Sequence, residues 1–269
     1  MTRIVGVVNV TPDSFSDGGQ FMDPDRAAAH ARTLLDDGAA LVDVGAASSH
    51  PQADRVGPAE EIRRLEPVID RLADVLDRVS IDSFEPDVQR YAISRGVRWL
   101  NDVHGFAAPD AYADLARARC GLVVMYARSP DDTAPQEGIQ LAPAQQVDRV
   151  QGWLERRVRA LTSAGVARDR IIVDPGMGLF LGPDPEASWI VLRHLRELRS
   201  RLALPVLVGV SRKSFLGTVT GRPPLERGAA SLAAELHAAA QGVEYIRTHE
   251  VRPLRDALLV QEVVSGPRC

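Results

Sequence analysis

The stretch RVSIDSFEPDVQRYAISRGVRWLNDV, Arg78–Val103, decides the fold. It opens on a short apolar run, Arg78–Ser83, nearly continuous rather than alternating, as expected of a parallel strand covered on both faces. A stretch with helical periodicity follows, Pro86–Arg95, opened by a proline where the missing N–H costs nothing. Gly96 then stands where a left-handed helix cap is expected. A second apolar run, Trp99–Val103, comes directly after. This is one strand–helix–strand unit, and both strands end in chemistry-bearing residues: Asp82 in the first, Asn101 with Asp102 in the second.

The same unit recurs on both sides. Apolar runs rich in Val, Ile and Leu lie at Ile4–Val10, Ala40–Ala46, Leu122–Tyr126, Arg170–Asp174, Pro205–Val210 and Tyr245–Thr248. Helix-periodic segments separate them at Pro24–Asp37, Pro58–Asp77, Pro109–Arg119, Pro143–Ala164, Pro185–Leu202, Glu226–Gln241 and Pro253–Val264, with Gly38, Gly165 and Gly242 again at cap positions. Strands alternating this regularly with helices predict an α/β chain folded as one (β/α)8 TIM barrel. A doubly wound open sheet is the competitor, but it rarely uses so many regular units. No linker, low-complexity tract or shift of composition divides the 269 residues, so the sequence reads as a single domain, 1–269.

Composition narrows the function class. The formal charge is −4, with no basic or acidic block, which makes nucleic acid and anionic membrane poor partners. The only cysteines, Cys120 and Cys269, argue against a disulfide scaffold or a cysteine-rich zinc site. No stretch approaches the ~18 apolar residues of a membrane span, and the N-terminus lacks a signal-peptide pattern, so a soluble cytoplasmic protein is expected. The histidines show no metal-ligand spacing; His194 and His237 read as ordinary helix residues, and Trp153 and Trp189 as core. There is no Walker loop and no G-x-S-x-G elbow. The chain has one lysine, Lys213, and two asparagines, Asn9 and Asn101. A coding bias toward arginine and alanine explains the scarcity and makes the survivors worth locating.

In a barrel, the C-terminal strand ends and the loops after them build the active site. Those positions hold Asn9, Asp43, Asp82, Asn101 with Asp102, Met125 with Tyr126, Asp174, Ser211-Arg212-Lys213, and Arg247 with His249. Strand ends are also polar simply because they surface, and a lone carboxylate can serve as a salt bridge or cap. The convergence of carboxylate, amide and cation at one end favours a site. Asp82, Asp174 and Asn101 supply acceptors plus one amide, the set needed to read a flat heterocycle with several ring N–H groups. Lys213, Arg212, Arg247 and His249 suit a phosphate or carboxylate. Gly176-Met177-Gly178 either cradles a ligand or turns the chain.

The blocks VVNVTPDSFSDGG at Val7–Gly19, SIDS at Ser80–Ser83, LNDV at Leu100–Val103, DPGMG at Asp174–Gly178, SRKSFLG at Ser211–Gly217 and IRTH at Ile246–His249 fall in order, one per strand end. Together they resemble dihydropteroate synthase. The resemblance implies condensation of 6-hydroxymethyl-7,8-dihydropterin diphosphate with p-aminobenzoate, with Mg2+ on the diphosphate. It assigns Asp82, Asn101, Asp174 and Lys213 to the pterin, with Met125 lining the slot. Asn9, Arg247 and His249 bind the diphosphate, Asn9 through the metal. Ser211, Lys213 and the loop residues Ser49 and Pro51 meet p-aminobenzoate, Asp43 supports the closing loops, and His50, Gly178, Leu179 and Arg212 complete the substrate set. Asp82, Lys213, Arg247 and His249 form the catalytic set. The implied reaction is a dissociative displacement: Mg2+, Arg247 and His249 neutralise the departing diphosphate, loops Thr11–Met22 and Ala47–Gly57 exclude water, and no side-chain nucleophile is needed.

Two departures matter. Where many members carry an E-S-T-R-P-G loop, this chain reads AASSHPQ, so Ser49 and His50 replace threonine and arginine; and Tyr126 replaces the usual histidine after the fifth strand. Further blocks, QRYAISRGVRWLNDVHGF and SLAAELHAAA among them, resemble a mobile, sulfonamide-insensitive branch, with Leu179 beside Phe180 where that branch tends to carry phenylalanine. A pterin-dependent methyltransferase and a catalytically silent pterin-binding paralogue are the alternatives, the second kept open by His50 and Tyr126. The family is commonly dimeric, and Glu226–Gln241 and Pro253–Val264 are apolar enough to serve either a homodimer interface or core packing.

Overall fold

A computed structural model describes residues 2–10, 23–47, 56–128 and 142–266. Its strands are β1 (Arg3–Asn9), β2 (Leu41–Gly45), β3 (Val79–Asp82), β4 (Trp99–Asp102), β5 (Gly121–Met125), β6 (Ile171–Asp174), β7 (Leu207–Val208) and β8 (Tyr245–Thr248). All pair in parallel, in the order β6-β5-β4-β3-β2-β1-β8-β7. A parallel bridge between Val173 and Val206 joins the two ends of that order, with the Val173 amide donating to the Pro205 carbonyl at 2.9 Å. The sheet thus closes on itself as the (β/α)8 TIM barrel that the alternation predicts.

Around it lie α1 (Pro24–Asp36), α2 (Pro58–Arg71), α3 (Pro86–Ser94), α4 (Tyr112–Arg117), α5 (Pro143–Ser163), α6 (Pro185–Arg193), α7 (Leu195–Leu202), α8 (Ser214–Thr220), α9 (Gly228–Ala240) and α10 (Val251–Ser265). Proline opens α1, α2, α3, α5 and α6 at the first helical positions, and Asp23 and Asp184 cap α1 and α6 by accepting from the Asp25 and Glu186 amides. Gly38, Gly96, Gly165 and Gly242, the expected cap glycines, have φ between 82° and 107°.

Several expected elements differ in extent. The stretch Pro185–Leu202 breaks at His194 (φ −109°, ψ 17°), so this histidine joins two helices instead of sitting inside one. The segment expected to run to Asp77 stops at Arg71 and finishes as a 3-10 turn, Ala73–Arg78. Strand β7 spans Leu207–Val208 only, shorter than its apolar run. Helix α8 was not foreseen, because SFLGTVT holds a glycine, a valine and two threonines and has little intrinsic helix propensity. It is held by packing: Phe215 is buried edge-on to Trp189 of α6, ring centroids 4.7 Å apart.

Strand parity places the chemistry. One set of alternate residues, among them Ile4, Val8, Val42, Val44, Ile81, Leu100, Leu122, Val124, Val173, Val208 and Ile246, joins the large core between barrel and helices. The other set faces the barrel interior, where Val5, Leu41, Val123, Ile172, Leu207 and Tyr245 pack together with Trp99. At the N-terminal end the Arg3 guanidinium lies 4.2 Å above the Tyr245 ring. The lower barrel is therefore filled, and continuing the same parity upward brings Asn9, Asp43, Asp82, Asn101, Met125, Asp174 and Arg247 to the C-terminal mouth.

Candidate active site

Asp43 is the hub of that mouth. It is 2% exposed, and its Oδ2 accepts from Arg247 Nε at 2.6 Å and from Asn101 Nδ2 at 3.0 Å. Arg247 Nη2 also donates to Asp82 Oδ2 at 3.0 Å. One guanidinium therefore ties β8 to β2 and β3 across the interior. Asp43 Oδ1 and Asn101 Oδ1 are buried acceptors with no hydrogen-bond partner among the described residues. Buried acceptors left unpaired are costly, so the pair is better explained by a polar ligand with ring N–H groups than by internal structure. Asp43 thus anchors Arg247 and Asn101; the loops it was expected to support lie outside the described residues.

Asp174 completes the heterocycle side. Its Oδ1 accepts from the Gly176 amide at 2.8 Å, and Met125 is its register neighbour on β5. The loop after it turns through Gly176 (φ 70°), where a Cβ would sit 2.4 Å from the Tyr126 carbonyl oxygen, and Gly178 (φ 67°), where a Cβ would meet Lys213 Cδ at 3.4 Å. Gly178 donates its amide to Ser188 Oγ at 3.0 Å, so this loop both turns the chain and borders the lysine. Lys213 Nζ lies 4.8 Å from the centre of the Phe180 ring, a cation–π contact. Leu179, the residue before Phe180 in the chain, is 46% exposed.

The charges are strongly perturbed. Burial, and next the charge of Asp43, raise the Asp82 carboxyl, with Arg247 pulling the other way. Burial raises Asp174 to about 6 against the Gly176 hydrogen bond. Burial and the charge of Arg247 lower the Lys213 amine to about 8. Burial disfavours the charge of Arg247, but Asp43 and Asp82 outweigh it and the guanidinium stays charged.

On the anion side, His249 Nδ1 lies 2.9 Å from Ser211 Oγ. Burial and the nearby Arg212, Arg247 and Lys213 hold its pKa well below 6.5. That environment disfavours the charged imidazole, which makes His249 a hydrogen-bonding group rather than a fixed cation in the unliganded chain. The Arg212 guanidinium pairs with Glu250 at 3.2 Å.

Two neighbours of the site face away from it. Asp102 has the outward parity; its Oδ2 accepts from Gln89 Nε2 at 2.8 Å and its Oδ1 from the His104 amide at 2.7 Å, which splices α3 to the end of β4. Tyr126 is fully buried with its ring edge-on to Trp153 at 5.4 Å. Ser49, His50 and Pro51, loop Thr11–Met22, residues 48–55 of the second loop and Cys269 lie outside the described residues.

Among the described residues no three His, Cys, Asp or Glu side chains gather as a metal cage. Asn9, at the top of β1, offers one amide oxygen, a hard donor. Mg2+ commonly keeps several waters and is shared with substrate phosphates, so Asn9 fits an ion arriving with a diphosphate.

Comparison with known proteins gives a concordant result. Residues 5–249 match the family model described as "Pterin binding enzyme". The chain is 49% identical over 265 residues to dihydropteroate synthase type-1 of Escherichia coli, covering 98% of this chain and 95% of that protein. It is 50% identical over 258 residues to dihydropteroate synthase type-2 of Escherichia coli, covering 96% and 94%. The solved Xanthomonas albilineans dihydropteroate synthase with 4-aminobenzoic acid superposes with a TM-score of 0.87 at 38% identity, covering 99% of this chain and 94% of that one.

Proposed function

The chain belongs to the pterin-binding enzymes, and within them to the dihydropteroate synthase family of transferases, and from that premise we propose how its own residues run the reaction in folate biosynthesis. The observation that carries the proposal is the constellation at the barrel mouth: Asp43, Asn101, Asp82 and Arg247 hydrogen-bonded together, with Asp174 and Lys213 beside them. The substrates are 6-hydroxymethyl-7,8-dihydropterin diphosphate and p-aminobenzoate. Asn101, Asp174, Asp82 and Lys213 grip the pterin edge, and Met125 lines the slot.

The bond from the pterin methylene carbon to the diphosphate oxygen breaks, and both of its electrons leave with diphosphate. Three carboxylates (Asp43, Asp82, Asp174) face two cations (Lys213, Arg247), so this layer gains one excess negative charge once Asp82 and Asp174, both raised by burial, have given up their protons. That excess stabilises positive charge on the methylene. Arg247 and neutral His249 donate hydrogen bonds to the departing oxygens. The amine nitrogen of p-aminobenzoate then forms the new bond to carbon and releases one proton to water or diphosphate. Mg2+, held through Asn9, supplies charge neutralisation on the diphosphate when bound. Ser211 and Lys213, with Ser49 and Pro51, meet p-aminobenzoate.

Reduced sulfonamide sensitivity belongs to the same proposal through the resemblance to the insensitive branch; Leu179, exposed beside Phe180 where that branch tends to carry phenylalanine, offers less bulk against a sulfonamide's additional ring and argues against it. A homodimer does too, supported by Leu259, Val260, Val263 and Val264 of α10, all exposed; sedimentation velocity at micromolar concentration tests it. A cytoplasmic location completes the reading, tested by cell fractionation. Tyr126 gives no support to a silent paralogue, because its side chain belongs to the outer core.

The deciding experiment is pteroate formation from both substrates with Mg2+, repeated across a sulfamethoxazole titration. Turnover that survives drug in large excess over p-aminobenzoate is expected. Turnover that collapses at equal concentrations removes the insensitivity, and absence of turnover overturns the whole assignment.

A further inference from the structure

Lys213, the chain's one lysine, owes its place to the backbone turn that carries it. The preceding residue, Arg212, stands at φ 61°, a left-handed conformation that costs a non-glycine residue energy and persists only where surroundings enforce it. The enforcement comes from just ahead of α9 and from its first turn. Ser231 Oγ accepts the Arg212 N–H at 2.9 Å. Arg227 Nη1 donates to the Arg212 carbonyl at 3.0 Å and to the Lys213 carbonyl at 3.2 Å. Arg227 is fixed in turn: its Nε donates to the Arg222 carbonyl at 2.7 Å, and its own carbonyl accepts from Ser231 Oγ at 2.7 Å. Its guanidinium lies on Gly217, where a Cβ would come within 2.3 Å of Nη2, so a side chain at 217 would expel it.

Resting on the reading of Lys213 as a pterin contact, we propose that Arg227, seconded by Ser231, is a positioning residue: it clamps the Arg212–Lys213 turn and thereby sets where the Lys213 amine stands against the heterocycle. Arg227 itself acts only through these two carbonyls. A guanidinium is suited to this because its rigid plane keeps Nε on the Arg222 carbonyl while Nη1 meets both turn carbonyls, an arrangement that a shorter neutral side chain does not reproduce.

The single lysine supplies a direct readout. Protein grown with [ε-13C]lysine gives one side-chain resonance, and its pH titration reports the amine's surroundings: Arg247, which pushes the proton off, and Asp174 and Asp82, which hold it. In the parent chain the midpoint is expected near 8. In Arg227→Ala the amine leaves its seat, so the midpoint moves toward 10.5, KM for the dihydropterin diphosphate rises at least ~10-fold, and KM for p-aminobenzoate changes less. Arg227→Gln, which adds no second lysine, should fall between the two. A folded Arg227→Ala protein whose midpoint and pterin KM both stay at parental values overturns the proposal and leaves Arg227 a purely structural residue. Should Arg227→Ala not fold, Arg227→Gln and Ser231→Ala decide by the same two readouts. The titration needs no turnover, so failure of the clamp is distinguishable from failure of the assigned activity.

Discussion

Asp43→Asn isolates charge from shape at the centre of the site. Asp43 Oδ2 accepts both hydrogen bonds that organise Arg247 and Asn101, while Oδ1 has no partner among the described residues. An asparagine can keep its oxygen in the Oδ2 position and put its amide where Oδ1 was, so both bonds persist with the charge gone. At a pH where Asp82 and Asp174 are ionised, the inner layer then changes from one excess negative charge to none. If the reacting carbon is taken to sit about 7 Å away, at an effective dielectric of about 20, that charge is worth about 2 kcal/mol, or about 30-fold in kcat. KM should move little, because the contacts remain. The same change acts on Asp82, whose carboxyl is raised first by burial and second by Asp43. Without Asp43 it must ionise at lower pH, so the acid limb of the kcat/KM profile should move toward acid. The assay is initial-rate pteroate formation between pH 5 and 9. A kcat within threefold of the parent, or an acid limb that moves toward alkali, would refute the electrostatic account.

Three further outcomes are expected. Asp102 and Asp174 are raised to about 6, and Glu61 and Glu235 to about 7, all by burial first. The native state therefore holds protons between about pH 4 and pH 7 that the unfolded chain has released, and stability must fall as pH rises through that window. His249, lowered, opposes this with a single proton. Thermal melts should give a higher Tm at pH 5.5 than at pH 8, and Glu235→Gln should flatten the dependence; a Tm that drops on acidification over this range contradicts it. Gly176→Ala should cost at least ~2 kcal/mol in urea unfolding, from the positive φ and the Tyr126 carbonyl contact, and should impair turnover by shifting the amide that bonds Asp174; a loss under 0.5 kcal/mol in order of magnitude would mean the loop relaxes freely. Tyr126→Phe should leave kcat and both KM values within about threefold, and a tenfold loss would return Tyr126 to the site.

The barrel and its functional end were legible because unit length, proline starts and glycine stops agree locally. What stayed hidden follows from burial on both faces. In β4 the residues Trp99 and Leu100 are both apolar, so hydrophobicity alone does not reveal which parity faces inward, and Asn101 and Asp102 look equivalent. The partner that separates them, Gln89 on α3, carries no sign of that role in its own neighbourhood. Met125 and Tyr126 pose the same ambiguity, resolved by Trp153 packing on the tyrosine from α5. Helix α8 has no propensity signal, yet it follows the residue on which the lysine's placement turns. The clamp from Arg227 and Ser231 was invisible for a related reason: Arg227 works on backbone carbonyls, and a composition rich in arginine conceals one more.

The Asp43–Arg247–Asp82 triad carries a further consequence. A site meant only to bind diphosphate would leave its arginine uncommitted, whereas here the guanidinium is already met by two carboxylates. Those bonds use Nε and Nη2, and a guanidinium has five N–H donors, so an anion can be added without breaking them. In the proposed mechanism Arg247 then lies between two carboxylates and the leaving group. Losing diphosphate strips negative charge from one side of it while positive charge grows on the pterin, and the two carboxylates remain fixed to answer that growth. An arginine held this way also resists following the departing diphosphate. Under that proposal the same bonds keep the residue in place for the next substrate and set the sign of the field in which the carbon–oxygen bond breaks.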